Sequence, residues 1–268
     1  MREFSDEELE RYSRHIILED IGIEGQEKIA QAKVLIIGAG GLGSPVALYL
    51  AAAGIGEIGI VDGDVVDLSN LQRQVIHSTK DIGVAKVQSA KEKMEAINPN
   101  IHITVYQKFL DASNILDIVK QYDFVIDGTD NFAAKFLIND ACVLANIPYS
   151  HGGILRFGGQ TMSIRPHESA CYACVFDAPP PTNAVPTCSS AGILGAVAGM
   201  LGTIQATEAL KYITGAGEPL FNKLLSFDAK SMQFRTINFK KNPKCRVCGE
   251  QGITQIKDYE AVTCEAKL

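Results

Sequence analysis

Short, wholly apolar runs alternate with segments of helical period along the first half of the chain. Val34–Ile37, Ile58–Val61 and Phe124–Ile126 carry no polar side chain, the pattern of parallel strands covered on both faces. His102–Tyr106 alternates as a further strand. Between them Leu42–Ala53, Val84–Ile97, Asn114–Lys120 and Phe132–Ala145 read as helices, with Pro45 tolerable in a first turn and Asn98-Pro99 as a stop. Ser5-x-x-Glu8 has capping-box spacing and opens a helix running to about Ile17. This β-α-β-α order predicts an α/β fold: a Rossmann-like, right-handed, doubly wound, mainly parallel sheet.

After Pro148 the pattern changes. Residues 149–165 place Gly152-Gly153 and Gly158-Gly159 between short apolar segments, as in strands joined by tight turns. Ala178–Pro186 (APPPTNAVP) is neither helix nor central strand. A long helix of small residues is expected from about Ser190 to Tyr212, then a strand pair at Leu224–Phe227 and Met232–Phe239. The sheet should therefore gain antiparallel strands. A single domain is expected over 1–268, with a helical arm (1–32), a nucleotide-binding half (33–148) and an antiparallel extension (149–268).

Composition narrows the function classes. A formal charge of −6 and the lack of a basic run argue against nucleic acid as a partner. The most apolar stretch, Ala191–Ile204, is Gly-rich and short of the ~20 residues that cross a bilayer, so no membrane association is expected. The acidic opening MREFSDEELERYSRH is not a secretory signal. With seven cysteines in such a chain, a reducing compartment, the cytoplasm, is the expected location.

Candidate chemistry begins at GAGGLG, residues 38–43, directly after the first strand. Gly38, Gly40 and Gly43 have G-x-G-x-x-G spacing, which with Gly41 allows a tight turn and close backbone approach to phosphate at a helix N-terminus. Asp62 ends the second strand 19 residues past Gly43, placed to accept ribose hydroxyls. On these residues alone NAD leads ATP. Arg73 and Lys86 shift the balance, because a triphosphate needs local cations in an acidic chain; solvated surface charges are the bland alternative. Asp127-Gly128-Thr129-Asp130-Asn131 follows another buried strand, where α/β sheets open their ligand crevice. Asp130 there is a candidate Mg²⁺ ligand, with helix capping as its alternative role.

Cys171-x-x-Cys174 and Cys245-x-x-Cys248 are two CxxC pairs, a tetrahedral Zn²⁺ site of structural type, with Fe–S as the rival. Cys142 reads as inert core, and Cys264 lies in a polar tail. Cys188 precedes a helix start that would lower its pKa, so it is either a nucleophile or a bystander thiol in a loop. None of the five histidines is assigned chemistry.

Taken together, GAGGLG, the segment from Asp62 to Gln74 ending NLQRQ, Lys86, DGTDN and the opening ERYSRHIIL resemble the ubiquitin-activating-enzyme-like superfamily. Within it the chain is most similar to the MoeB/ThiF group of sulfur-carrier adenylyltransferases, HesA-like proteins included. The resemblance implies a homodimer that uses ATP and Mg²⁺ to adenylate the C-terminal glycine of a small ubiquitin-like sulfur-carrier protein ending in Gly-Gly. Pyrophosphate would leave, and the carrier would be primed for thiocarboxylate formation in thiamine or molybdopterin biosynthesis, with a sulfur donor protein as a further partner. It places Asp62 on ribose, Asn70, Arg73, Gln74 and Lys86 around the phosphates, Asp130 and Asn131 at the metal end, and Arg14 on the opposite subunit's ATP. It also implies the four-cysteine zinc site and a carrier-binding surface on 149–268. In ThiF-like members the cysteine matching Cys188 bonds to the activated carrier; MoeB-like members do not depend on it. Lys135 departs from the Arg usual at its position. An NAD-dependent oxidoreductase and a non-catalytic, zinc-stabilised dimeric scaffold are the competing readings.

Overall fold

The computed structural model describes residues 2–180 and 191–259. Strands β1 (Lys33–Ile37), β2 (Glu57–Val61), β3 (His102–Tyr106), β4 (Phe124–Asp127) and β5 (Tyr149–Leu155) run parallel. Strands β6 (Gly158–Ile164), β7 (Lys223–Asp228) and β8 (Gln233–Asn238) continue the same sheet antiparallel. The order across it is β3-β2-β1-β4-β5-β6-β7-β8. The expected mixed sheet is thus the observed one.

Because side chains alternate across a strand, an all-apolar β1 feeds two cores. Val34 and Ile36 join one cluster with α3 (Gly22–Gln31), α4 (Gly43–Ala53), α5 (Lys86–Ile97) and the long α9 (Gly195–Thr214). Leu35 and Ile37 join the other, with α6 (Ile115–Val119), α7 (Phe132–Ala145) and α8 (Tyr172–Val175). The small residues of α9 serve a close crossing: a Cβ on Gly202 would lie 2.5 Å from Pro45 Cγ and 2.6 Å from the Leu42 carbonyl oxygen.

Two expected helices differ in extent. The first is broken into α1 (Asp6–Arg11) and α2 (Ser13–Ile16), although its Ser5–Glu8 capping box forms as read. The break is at Tyr12, whose buried ring fills the space beside Gly54 and whose hydroxyl accepts from Asn98 Nδ2 at 2.8 Å. Tertiary packing here overrides helix continuation. The long helix α9 starts at Gly195, where its end meets the turn before Gln74: a Cβ on Gly195 would sit 2.2 Å from the Gln72 carbonyl oxygen. Most of the Pro-rich loop, together with Cys188 and Cys264, lies outside the described residues.

The turn between β1 and α4 is set by backbone contact. Gly38 has φ +100°, and a Cβ on Gly43 would fall 1.8 Å from the Gly38 carbonyl oxygen, where no side chain fits. A Cβ on Gly40 meets nothing nearer than 3.7 Å. Gly43→Ala is expected to cost about 1–3 kcal/mol or more in chemical denaturation, the scale of forced overpacking. Gly40→Ala should stay within about 0.5 kcal/mol of the parent. Equal stabilities for the two variants would contradict this account of the turn.

Candidate active site

The β1-to-β2 crossover and the β4-to-β5 crossover leave the sheet on opposite faces, so a crevice opens at the C-terminal ends of β1 and β4. A cleft of about 740 Å³ occupies it. Gly38, Gly40 and Gly41 form its floor, and Asp62, Arg73, Gln74, Lys86, Asp130 and Asn131 reach its walls. Three expected residues are not brought there. Gly43 packs behind the turn, Asn70 bonds the Asp67 amide in a 3-10 turn, and Arg14 is exposed on α2.

Asp62 is fixed by two backbone donors, Ala39 N–H at 2.8 Å on Oδ2 and Asp64 N–H at 2.9 Å on Oδ1. These tie the end of β2 to the Gly turn and leave carboxylate lone pairs for a hydroxyl. Arg73 Nη1 donates to the Ser69 carbonyl at 3.0 Å, and its side chain lies across Gly41, 3.5 Å from where a Cβ would be. Lys86 is buried at the start of α5, with Nζ 2.8 Å from Asp64 Oδ2. Asp64, itself 54% exposed, is a counter-charge that an incoming phosphate can replace. Gln74 Oε1 is buried without a partner among the described residues, an acceptor on the cleft wall for a ligand donor.

The other wall rests on Asp127, which the sequence offered as the first residue of DGTDN without a role of its own. Its carboxylate is 1% exposed and accepts from Thr129 N–H (3.0 Å), Thr129 Oγ1 (2.6 Å), Lys135 Nζ (3.1 Å) and His151 Nδ1 (2.9 Å). Burial alone would raise its pKa, but Lys135, His151 and Thr129 hold it well below the usual carboxylate range. Burial in turn lowers His151, opposed by its bond to Asp127. The neutral imidazole therefore donates from Nδ1 and presents Nε2 as an acceptor, buried and without a partner among the described residues.

Lys135 also donates to the carbonyls of Thr129 (2.8 Å) and Gly152 (2.6 Å). It bridges the ends of β4 and β5 from beneath the loop that carries Asp130, a task for a point donor rather than a guanidinium fork. The cap of α7 is Asn131, whose Oδ1 accepts from Ala134 N–H at 2.8 Å. Asp130 is exposed at the cleft and not occupied in capping.

Sequence reasoning also missed Asp64, Phe109, Tyr172, Asp258 and Tyr259 on the cleft wall. The signal for His151 was its register opposite Asp127 in neighbouring parallel strands, visible only once β4 and β5 are paired.

Away from the cleft, the two CxxC pairs converge. Sγ–Sγ distances are 3.9 Å (Cys171–Cys174), 3.6 Å (Cys171–Cys245) and 3.4 Å (Cys174–Cys248), and all four sulfurs lie within 4.8 Å of one another. A tetrahedron of thiolates at ~2.3 Å from one ion has edges of roughly 3.8 Å, so the donor set fits a four-coordinate metal. Cys142 is buried in the core, where burial pushes its thiol up and makes it unreactive. Among the described residues no helix is long and apolar enough to cross a membrane.

Comparison with known proteins agrees with this geometry. The chain is 48% identical over 96% of its length to the probable adenylyltransferase/sulfurtransferase MoeZ of Mycobacterium tuberculosis. It spans 65% of that relative and 55% of a maize adenylyltransferase and sulfurtransferase, MOCS3-1. It is 42% identical to the sulfur carrier protein adenylyltransferase of Thermus thermophilus, covering 96% of this chain and 97% of that one. Among solved structures, E. coli MccB with ATP superposes with a TM-score of 0.78 at 27% identity, covering 89% of this chain and 73% of that one. The ThiF family model matches residues 12–247, and the chain belongs to the ThiF family.

Proposed function

We propose that the protein adenylates the C-terminal glycine carboxylate of a small ubiquitin-like sulfur-carrier protein with Mg·ATP. The observation that carries this reading is the convergence of Arg73, Lys86 and Asp130 on a cleft floored by Gly38–Gly41. The relatives named for adenylation and for sulfur carriers support the same class. A nicotinamide cofactor would leave the Arg73 and Lys86 cations without a role. A scaffold would have no use for a buried lysine ion-paired to a half-exposed acid beside the phosphate turn.

In this reading the carrier's terminal carboxylate attacks the α-phosphorus of ATP in line. The bond from that phosphorus to the bridging oxygen breaks, and pyrophosphate leaves with its electron pair. A carboxylate is already nucleophilic at neutral pH, so no general base is required. The protein's task is to hold two anions together and offset the charge that gathers on the phosphates. Asp62 holds the ribose, the Gly turn and the N-terminus of α4 cradle phosphate, and Gln74 and Asn131 line the path beside them. Arg73 and Lys86 meet the phosphate oxygens, Lys86 exchanging Asp64 for substrate. Mg²⁺ on Asp130 would add positive charge at the pyrophosphate end.

The reading extends to a homodimer in which Arg14 of each protomer reaches its partner's nucleotide, with Asn70 supporting the phosphate segment. It also includes a sulfur donor, and thiamine or molybdopterin biosynthesis as the setting. The four cysteines would hold a structural Zn²⁺, joining the segment after β6 to that after β8 with no open position for catalysis. Cys188 is the proposed nucleophile if sulfur transfer proceeds through a covalent carrier adduct.

Arg73→Ala should slow carrier-dependent ATP–pyrophosphate exchange by roughly 10²–10³-fold, the cost of losing one charge-stabilising contact. Near-parental exchange would remove Arg73 from the site, and tight NADH binding in a fluorescence titration would restore the oxidoreductase. For the cysteines, elemental analysis should find one zinc per chain. Cys245→Ala should lose it and melt at lower temperature. Iron, or a chain that keeps zinc without Cys245, would contradict the assignment.

A further inference from the structure

Part of the cleft wall comes from the chain beyond the cysteine cluster. After Cys248 the chain turns back through Gly249 and Gly252, and Ile253, Ile256 and Tyr259 pack on the core beneath α7. Asp258 and Tyr259 then reach the cleft. Asp258 stands beside the segment that follows β3, and that segment meets the cleft at Gly63. Phe109 is the link. It is 70% exposed, and its ring lies 2.7 Å from where a Cβ on Gly63 would be. The segment holding Phe109 is pinned in turn by Asp258, whose Oδ1 accepts from Ala112 N–H at 2.8 Å.

Tyr259 is held by three groups. Its hydroxyl donates to Asp140 Oδ2 at 2.5 Å and accepts from Arg246 Nη1 at 2.8 Å, and its ring lies 5.4 Å from that of Phe136. Burial, then the Asp140 bond, pushes the Tyr259 hydroxyl up to about 12, so it stays protonated as a donor. Arg246 stands between Cys245 and Val247, donates from Nε to the Asp177 carbonyl at 3.0 Å and stacks over both Phe136 and Tyr259. The cysteine cluster thus fixes the arginine that fixes the tyrosine.

We propose that residues 253–259 form the outer wall of the nucleoside subsite, with Tyr259 and the Asp258-pinned Phe109 enclosing the base and Arg246 acting as a positioning residue from the cysteine cluster. The remaining apolar lining, Val61, Leu110, Leu137 and Ile138, suits a planar heteroaromatic ring. This rests on the adenylation reading for the identity of the nucleotide. It gives the cysteine cluster a role in ligand affinity as well as in folding.

Two ligands separate the ends of the cleft: ATP with Mg²⁺, and inorganic tripolyphosphate with Mg²⁺, each titrated calorimetrically against the full-length protein. Tyr259→Ala and Asp258→Ala should weaken ATP about five- to twentyfold, the scale of one or two lost contacts, and leave tripolyphosphate unchanged. Arg246→Met should do the same while zinc content stays at the parental value. Tyr259→Phe, which keeps the ring and loses the hydroxyl, should fall between parent and Tyr259→Ala. Loss of both ligands together, or of neither, would overturn the proposal. A parent protein that binds no ATP would instead overturn the adenylation reading.

Discussion

The buried carboxylate of Asp127 is the interaction on which the site depends. It sits at the end of β4, where the sheet changes winding direction, and almost no solvent reaches it. A charge there persists only if every lone pair is met, and breaking one partner of such a group typically costs about 3–5 kcal/mol. Its donors come from three places: the DGTDN loop, α7 and β5. Gln205 of α9 adds a fourth tie, donating to the Asp127 carbonyl at 2.9 Å and the Ser150 carbonyl at 3.2 Å. One carboxylate thereby joins β4, the loop after it, α7 and β5 at the C-terminal edge of the parallel strands. Its effect is geometric: it holds Thr129 and Asp130 at the cleft without itself facing a ligand.

That division between buried and exposed charge runs through the cleft. Asp127 and Lys135 are neutralised by each other and serve position. Arg73, Lys86 and Asp130 line the cleft with few or replaceable partners, and the proposed reaction uses them on its ligand. Lys86 shows the difference most clearly, since its counter-ion among the described residues, Asp64, is half in solvent while its own ammonium is buried. Substituting a polyphosphate for a single exposed carboxylate raises the favourable charge interaction with little loss of protein contacts. The same lysine paired to a buried acid would have no reason to let go.

Much of this was legible in the sequence because local signals act through the backbone. Wholly apolar runs give buried strands, and Gly38 and Gly43 must be glycines because carbonyl oxygens occupy the space of their side chains. The capping box at Ser5 and the paired CxxC motifs are likewise short-range statements. What the sequence hid depends on register and on distant packing. His151 gains its partner only when β4 and β5 align, and Tyr12 breaks a helix only because Gly54 leaves it room. Lys135 read as a weakened arginine; its three acceptors come from β4, the following loop and β5, which no spacing rule connects. The wall at Tyr259 lies almost 200 residues from Asp62, beyond the reach of any local motif.

The cysteine cluster bears on why a fold with an eight-stranded sheet gains from a further constraint beyond its last strands. The segments after β6 and after β8 are loops with little regular structure, and short α8 contributes only one turn. Four thiolates on one ion would restrict both loops at once and remove conformational freedom that apolar contacts in so small a region would not offset. Because Arg246 lies between two of those thiolates, order imposed at the cluster is passed directly to the ring of Tyr259 and the floor of α7. A site held only by its own loops would give up part of its binding energy to ordering them. Order that exists before a ligand arrives is the condition for binding energy to go into aligning reacting groups.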